Sequence, residues 1–189
     1  MVAPAVAAAE LAAWEPDDEG QRALKHAFLA FLDARPDDAC ARGCVPGHLT
    51  ASALVLDAAG ERTLLTLHRR FHRWVQLGGH CEPGDANLRA AALREATEES
   101  GIDGLTISAA PLHLDVHPVT CSLGVPSRHL DVRYLVHAPV GARPRISEES
   151  VDLRWWPVDA LPADTDTLAT MIERGRLQQN QRLQKNSSL

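Results

Sequence analysis

The segment RWVQLGGH (73–80), followed by a helical pattern from Asp85 or Ala86 to Ser100 and a closing Gly101, constrains this chain more than any other feature. RWVQL reads as a short strand. Gly78 and Gly79 let the backbone turn or approach a neighbour closely, and Gly101 stands where a helix takes its left-handed C-cap. A strand that empties through glycines into a helix belongs to a sheet with that helix packed on one face.

The flanking segments extend the same architecture. LTASALVLD (49–57) is β-rich, and after the turn AAGER the run TLLTLHRR from Thr63 reads as its hairpin partner. Later, 105–119, 128–140 and 150–158 are strand candidates; the second alternates most clearly, with Leu130, Val132, Tyr134 and Val136 on one face. LPADTDTLATMIERG gives a final helix with Pro162 in its first turn. Near the start, 21–32 sets Leu24, Ala27, Phe28 and Phe31 at helical spacing, and Pro36 ends that helix. The expected fold is therefore α/β (α+β): a mixed sheet sandwiched between helices. Residues 1–47 form an N-terminal helical extension and loop, 48–174 the main domain, and 175–189 a polar tail that frays as a helix or is disordered.

Composition removes several function classes. With 189 residues, 45% hydrophobic and 23% charged, the chain has the profile of one ordinary folded domain. No run reaches the length of a membrane span, and the Ala-rich start lacks the basic n-region of a secretory signal, so the expected address is the cytoplasm, with no membrane partner. A net charge of −6 without a dense Lys/Arg cluster disfavours polymeric nucleic acid but leaves room for a small phosphorylated ligand screened by a metal ion. Cys40, Cys44, Cys81 and Cys121 are too scattered for a disulfide framework and read as thiols. Cys40, Cys44 and His48 repeat every fourth residue, a faint zinc pattern set against the plainer reading of small buried side chains.

The helix at 86–100 carries an unusual charge distribution. At about 100° per residue, Glu95, Glu98 and Glu99 share one arc, while Leu93, Ala96 and Ser100 lie well round the cylinder. Two carboxylates about 5 Å apart repel by roughly 3 kcal/mol at an effective dielectric near 20, and by much less in water. The arc is either a solvated face, with Arg94 pairing Glu98 at i,i+4, or a cleft where a hard divalent cation relieves the repulsion.

The spacing around these acids resembles the signature of the Nudix hydrolases. Its second half is matched throughout by Arg94, Glu95, Ala96, Thr97, Glu98, Glu99, Ser100, Gly101 and Ile102. The first half departs: counting from Gly79, the acidic position falls on Asp85 in place of Glu, and eight residues, not seven, separate it from Arg94. The strand pair before the box, GGHCEPGD, and SEESVDLRWWPVDALP extend the resemblance over 48–174.

That resemblance implies an α/β/α sandwich and hydrolysis of a pyrophosphate linkage, in a nucleoside diphosphate linked to another moiety or a related small metabolite. It implies Mg²⁺ or Mn²⁺ held by Glu95, Glu98, Glu99 and the main chain at Gly78 or Gly79. Arg94 would orient Glu95, and Glu149, with its neighbour Glu148, would be an auxiliary ligand or general base, Asp152 being a lesser candidate. Arg69, Arg73 and His80 near the entry to the box are candidate substrate contacts. Trp74, Tyr134, Trp155 and Trp156 could stack on a base or fill the core. Nudix domains often pair, so a homodimer is a further expectation. Two rivals stand beside this reading: a catalytically weak nucleotide-sensing module, suggested by the extra residue after Asp85, and an isoprenoid diphosphate isomerase relying on Cys81.

Overall fold

The computed structural model describes residues 1–70, 72–120, 124–147, 150–163 and 165–186. Helices α1 (Pro4–Ala12) and α2 (Glu19–Ala34) precede strand β1 (His48–Leu56). Then follow β2 (Arg62–His68), β3 (Trp74–Val75), β4 (Leu77–His80), α3 (Leu88–Ser100), β5 (Thr106–Ile107), β6 (His113–Thr120), β7 (Pro126–His137), β8 (Ser150–Pro157) and α4 (Asp166–Asn186). The sheet is mixed. β1 runs parallel to β7 from His48↔His129 to Leu56↔His137 and antiparallel to β4 and β2 on its other edge; β6 and β5 extend β7, and β8 and β3 flank β2.

A strand with neighbours on both edges and helices on both faces is buried all round, and β1 is buried at every position. Its alternation divides the core. Leu49, Ala51, Ala53 and Val55 face α1, α2 and α3, packing among Leu11, Phe28, Leu88, Ala92 and Ala96. Leu54 and Leu56 face the other way, onto Leu168, Met171 and Ile172 of α4. The sandwich expected from the sequence is thus formed.

Helix ends follow their local chemistry. Asp18 caps α2 by accepting from the Gln21 N–H at 2.9 Å, Asn87 caps α3 by accepting from the Ala90 N–H at 2.8 Å, and Gly101 closes α3 at φ 59°. The N-terminal extension adds a second cap to α3. Glu10 on α1 accepts from the N–H groups of Leu88 (3.0 Å) and Arg89 (3.2 Å) and from the Tyr134 hydroxyl at 2.6 Å. A carboxylate at a helix N-terminus satisfies orphan donors and opposes the helix dipole. Gln21 on α2 closes the outer edge of β6, donating to the Leu114 carbonyl at 3.0 Å while its own oxygen accepts from the Leu114 N–H.

Two expectations are corrected. The segment 105–119 is not one strand: β5 and β6 are separate, because 108–112 breaks away to let Ser108 and Leu112 donate backbone N–H groups to β7. The last helix starts at Asp166, not around Pro162, and of the two readings of the tail the helical one holds, since the helix runs through Gly175. Gly175 sits where α4 crosses the sheet; a Cβ there would fall 2.7 Å from Leu54 Cδ2, so the glycine permits close approach and the helix continues to Asn186. Gln179, in the polar tail, is buried over the β1–β2 turn at Gly60.

The α4-side face of the sheet is apolar at one end and polar at the other. Asp131, 1% exposed, accepts from Thr50 Oγ1 (2.9 Å), Ser52 Oγ (2.7 Å), Gln76 Nε2 (3.2 Å) and Arg133 Nε (2.8 Å). Burial alone raises a carboxyl pKa, but the Arg133 charge and hydrogen bond, with that of Ser52, outweigh it and hold Asp131 below the usual carboxylate range. Arg133, itself 4% exposed, also pairs with Asp115 at 2.9 Å. Removing one member strands the other charge.

Two stability outcomes are expected in urea denaturation. Asp131→Ala lowers the unfolding free energy by about 3–5 kcal/mol, since Arg133 stays buried with its main partner gone. Glu10→Ala lowers it by about 1–2 kcal/mol, the range of a lost helix cap.

Candidate active site

The acidic face of α3 lies against the glycine segment of β4. Both glycines are required by contacts on two sides. At Gly78, φ is 147° and a Cβ would sit 2.5 Å from the Ser52 Cα of β1. At Gly79 a Cβ would sit 2.6 Å from Glu95 Oε1, so the Glu95 carboxylate lies in the space that a side chain would fill. Glu99, 8% exposed, accepts from the Gly78 N–H at 2.8 Å. Glu95 and Glu99, one turn apart, are thereby turned onto the same loop.

Glu98 behaves differently. It is 100° further round than Glu99, its side chain is 60% exposed, and it accepts from Arg94 Nη1 at 2.8 Å. The three acids share a helix edge, but only Glu95 and Glu99 are enclosed.

Arg94 joins the pieces. Its Nε and Nη2 donate to the two oxygens of Asp85 (3.0 and 3.2 Å), Nη2 also to the His80 carbonyl (2.9 Å), and Nη2 lies 3.1 Å from Glu95 Oε1. Burial works against its charge, yet Asp85, Glu95 and Glu98 together outweigh that and push its pKa further up. Asp85 shows the converse balance. Burial raises its pKa, and the Arg94 hydrogen bond, the Glu82 N–H and the Arg94 charge pull it below the usual range. The departure at Asp85 is thus accommodated: despite one extra residue before Arg94, its side chain is 5% exposed and meets the guanidinium through both oxygens.

The other candidates are placed as follows. Arg69 and Arg73 are exposed at the turn between β2 and β3, where His68 N–H donates to the Arg73 carbonyl. His80 pairs with Thr50, so its ring leaves the strand on the face opposite Gly79 and Glu95; only its carbonyl takes part in the Arg94 network. Burial, then Arg42, His129 and His48, push the His80 pKa down to about 3. Glu148, Glu149 and Cys121 lie outside the described residues. Asp152, within β8, is paired with Arg154 and accepts from the Leu153 N–H at 2.8 Å. Tyr134 is a core residue, Trp74 packs edge-on against Trp156 at 5.2 Å, and Arg62 lies over the Trp155 ring. Cys81 is buried, and its hydrogen bond with Cys40, followed by burial, pushes its pKa up, the direction opposite to that of an activated thiolate.

The donors gathered at α3 and the glycine segment are all oxygens, the set preferred by hard divalent cations. The model of the NUDIX domain matches residues 46–174, more than half of the chain.

The chain belongs to the Nudix family.

No curated protein matches it. Several solved Nudix structures share the fold. A MutT protein from Methanosarcina mazei Go1 superposes with a TM-score of 0.53 at 21% identity, covering 71% of this chain and 96% of that one. A C. elegans Ap4A hydrolase in a binary complex gives 0.52 at 21% identity, with 67% and 93% covered. The NUDIX domain of Shewanella oneidensis NrtR, complexed with ADP ribose, gives 0.50 at 20% identity, with 70% and 88% covered. This Nudix chain is accordingly a hydrolase of pyrophosphate linkages, in a family that generally uses divalent metals. No helix among the described residues is long and apolar enough to cross a membrane.

Glu95 needs the missing side chain of residue 79. Gly79→Ala, at a position whose φ suits alanine, should leave a folded chain by circular dichroism while lowering pyrophosphate cleavage by about 10- to 100-fold, as a displaced catalytic group does.

Proposed function

We propose that the protein is a cytoplasmic, Mg²⁺- or Mn²⁺-dependent Nudix hydrolase acting on a small, nucleotide-like substrate, a nucleoside diphosphate linked to another moiety. The observation that carries this reading is the enclosure of Glu95 and Glu99 against Gly78 and Gly79, with Arg94 bridging Glu95 to Asp85.

Glu95, Glu99 and the Gly79 carbonyl would hold the metal, with Glu98 at the exposed rim; the ion supplies charge neutralisation of the phosphates and a more acidic bound water. The residues divide the remaining work. The Gly78 N–H donates to one oxygen of Glu99 and holds that carboxylate against the glycine segment. Arg94 fixes the Glu95 carboxylate and stays charged throughout. Arg69 and Arg73 extend into solvent from the β2–β3 turn and can meet phosphate oxygens. Glu149 is retained as auxiliary ligand or base, and residues 48–174 as the hydrolytic domain between the helical extension and the tail.

The sensing alternative drew on the extra residue after Asp85, and Asp85 reaches Arg94 in spite of it. Catalysis is therefore the better-supported reading. Release of nucleoside monophosphate should be measured over dinucleotides, nucleotide sugars and nucleoside triphosphates with Mg²⁺ or Mn²⁺. Turnover of at least one class is expected, and Glu99→Gln, which keeps an oxygen for the Gly78 N–H, should lose about 100-fold or more while remaining folded. Tight nucleotide binding with no metal-stimulated release would favour the sensor.

A further inference from the structure

Three histidines meet on the face of the sheet turned away from the glutamates. His80 at the end of β4 lies beside Thr50 of β1, and His48 at the start of β1 pairs in register with His129 of β7. Each residue offers one ring nitrogen within 4.8 Å of the other two. His48 Nε2 and His80 Nε2 are 3.1 Å apart, and the three ring centroids are separated by 5.0 to 5.1 Å. His48 is fully buried.

We infer that His48, His80 and His129 form a binding site for a borderline first-row transition ion, zinc foremost, distinct from the carboxylate site on α3. Zinc binds imidazole nitrogen at about 2.0–2.1 Å, and a tetrahedron of that size has edges of about 3.4 Å. The 3.1 Å separation of two nitrogens is already near that edge. The third ring offers its nitrogen within 4.8 Å of the other two and would have to close toward that edge. All three rings sit on adjacent hydrogen-bonded strands, so their spacing is set by sheet register and not by a loop. Nitrogen donors suit zinc and its neighbours, whereas Mg²⁺ prefers the oxygens around Glu95. Three protein ligands leave one tetrahedral position for water.

Arg42 makes the assignment sharper. Its Nη2 lies 3.1 Å from His80 Nδ1, and a guanidinium can only donate, so Nδ1 accepts and the proton of the neutral ring resides on Nε2. Coordination through Nε2 moves that proton to Nδ1, where it opposes Arg42. Arg42 is exposed and can turn into solvent. Arg42 is therefore a competitor of the metal.

The test uses the full-length chain, stripped with chelator and titrated with Co²⁺ and then Zn²⁺. One equivalent of Co²⁺ should give the intense visible bands of tetrahedral coordination, insensitive to excess Mg²⁺ and displaced by Zn²⁺. Those bands should persist in Glu99→Gln, weaken by about 100-fold in affinity in His129→Gln, and tighten in Arg42→Gln. X-ray absorption of the zinc-loaded wild-type chain should count three imidazoles, a measurement that does not depend on any variant folding. Octahedral Co²⁺, a signal unchanged in His129→Gln, a signal lost in Glu99→Gln, or no uptake at all would overturn the site. Hydrolysis with Mg²⁺ is read separately, so either assignment can fail without the other.

Discussion

The Arg94 guanidinium holds the acidic region of this protein in one arrangement. It connects a helix (Glu95, Glu98), the end of a strand (the His80 carbonyl) and a connecting loop (Asp85) through a single planar group. A lysine could carry the charge, but it could not make paired contacts to Asp85 and reach the carbonyl as well. The gathering of carboxylates at one helix edge is tolerable because this cation is half enclosed among them. Its orientation in turn depends on glycines that let strand and helix approach.

Strand alternation then distributes chemistry between two faces. On β4, Gly79 looks toward α3 and the acids, while His80 looks toward His48 and His129. On β1 and β7, neighbouring positions send Ala51 and Val132 into the helical core and Thr50 and Asp131 into a buried polar network. One sheet thus carries an oxygen-rich site on one side and a nitrogen-rich cluster on the other, separated by a single layer of backbone.

Much of this was legible in the sequence because it is local. The acidic arc on α3, the Gly101 cap, the Phe28 packing helix and the strands at 49–57 and 128–140 all follow from spacing within a turn or a strand. What escaped notice is set by contacts between distant segments. Helix α1 is rich in alanine and has no pronounced amphipathic stripe, so Glu10 gave no sign that it would cap α3. The close approach of Gly175 to Leu54 is likewise set by a residue far away in sequence. His48, His80 and His129 have no common local period; parallel pairing of β1 with β7 brings them together. The pattern of Cys40, Cys44 and His48 did not foreshadow this cluster, which joins His48 to His80 and His129 instead.

The contact between Glu10 and the start of α3 has a practical meaning for how this molecule can be divided. The family match begins at residue 46, yet the helix bearing the acids has its leading amides covered by a residue far upstream, and Tyr134 shares that same carboxylate. A fragment trimmed to the matched segment would bare Leu88, Ala91 and Ala92 to water along with those amides. The boundary drawn by family likeness and the boundary of the cooperative folding unit therefore fall at different places in this chain.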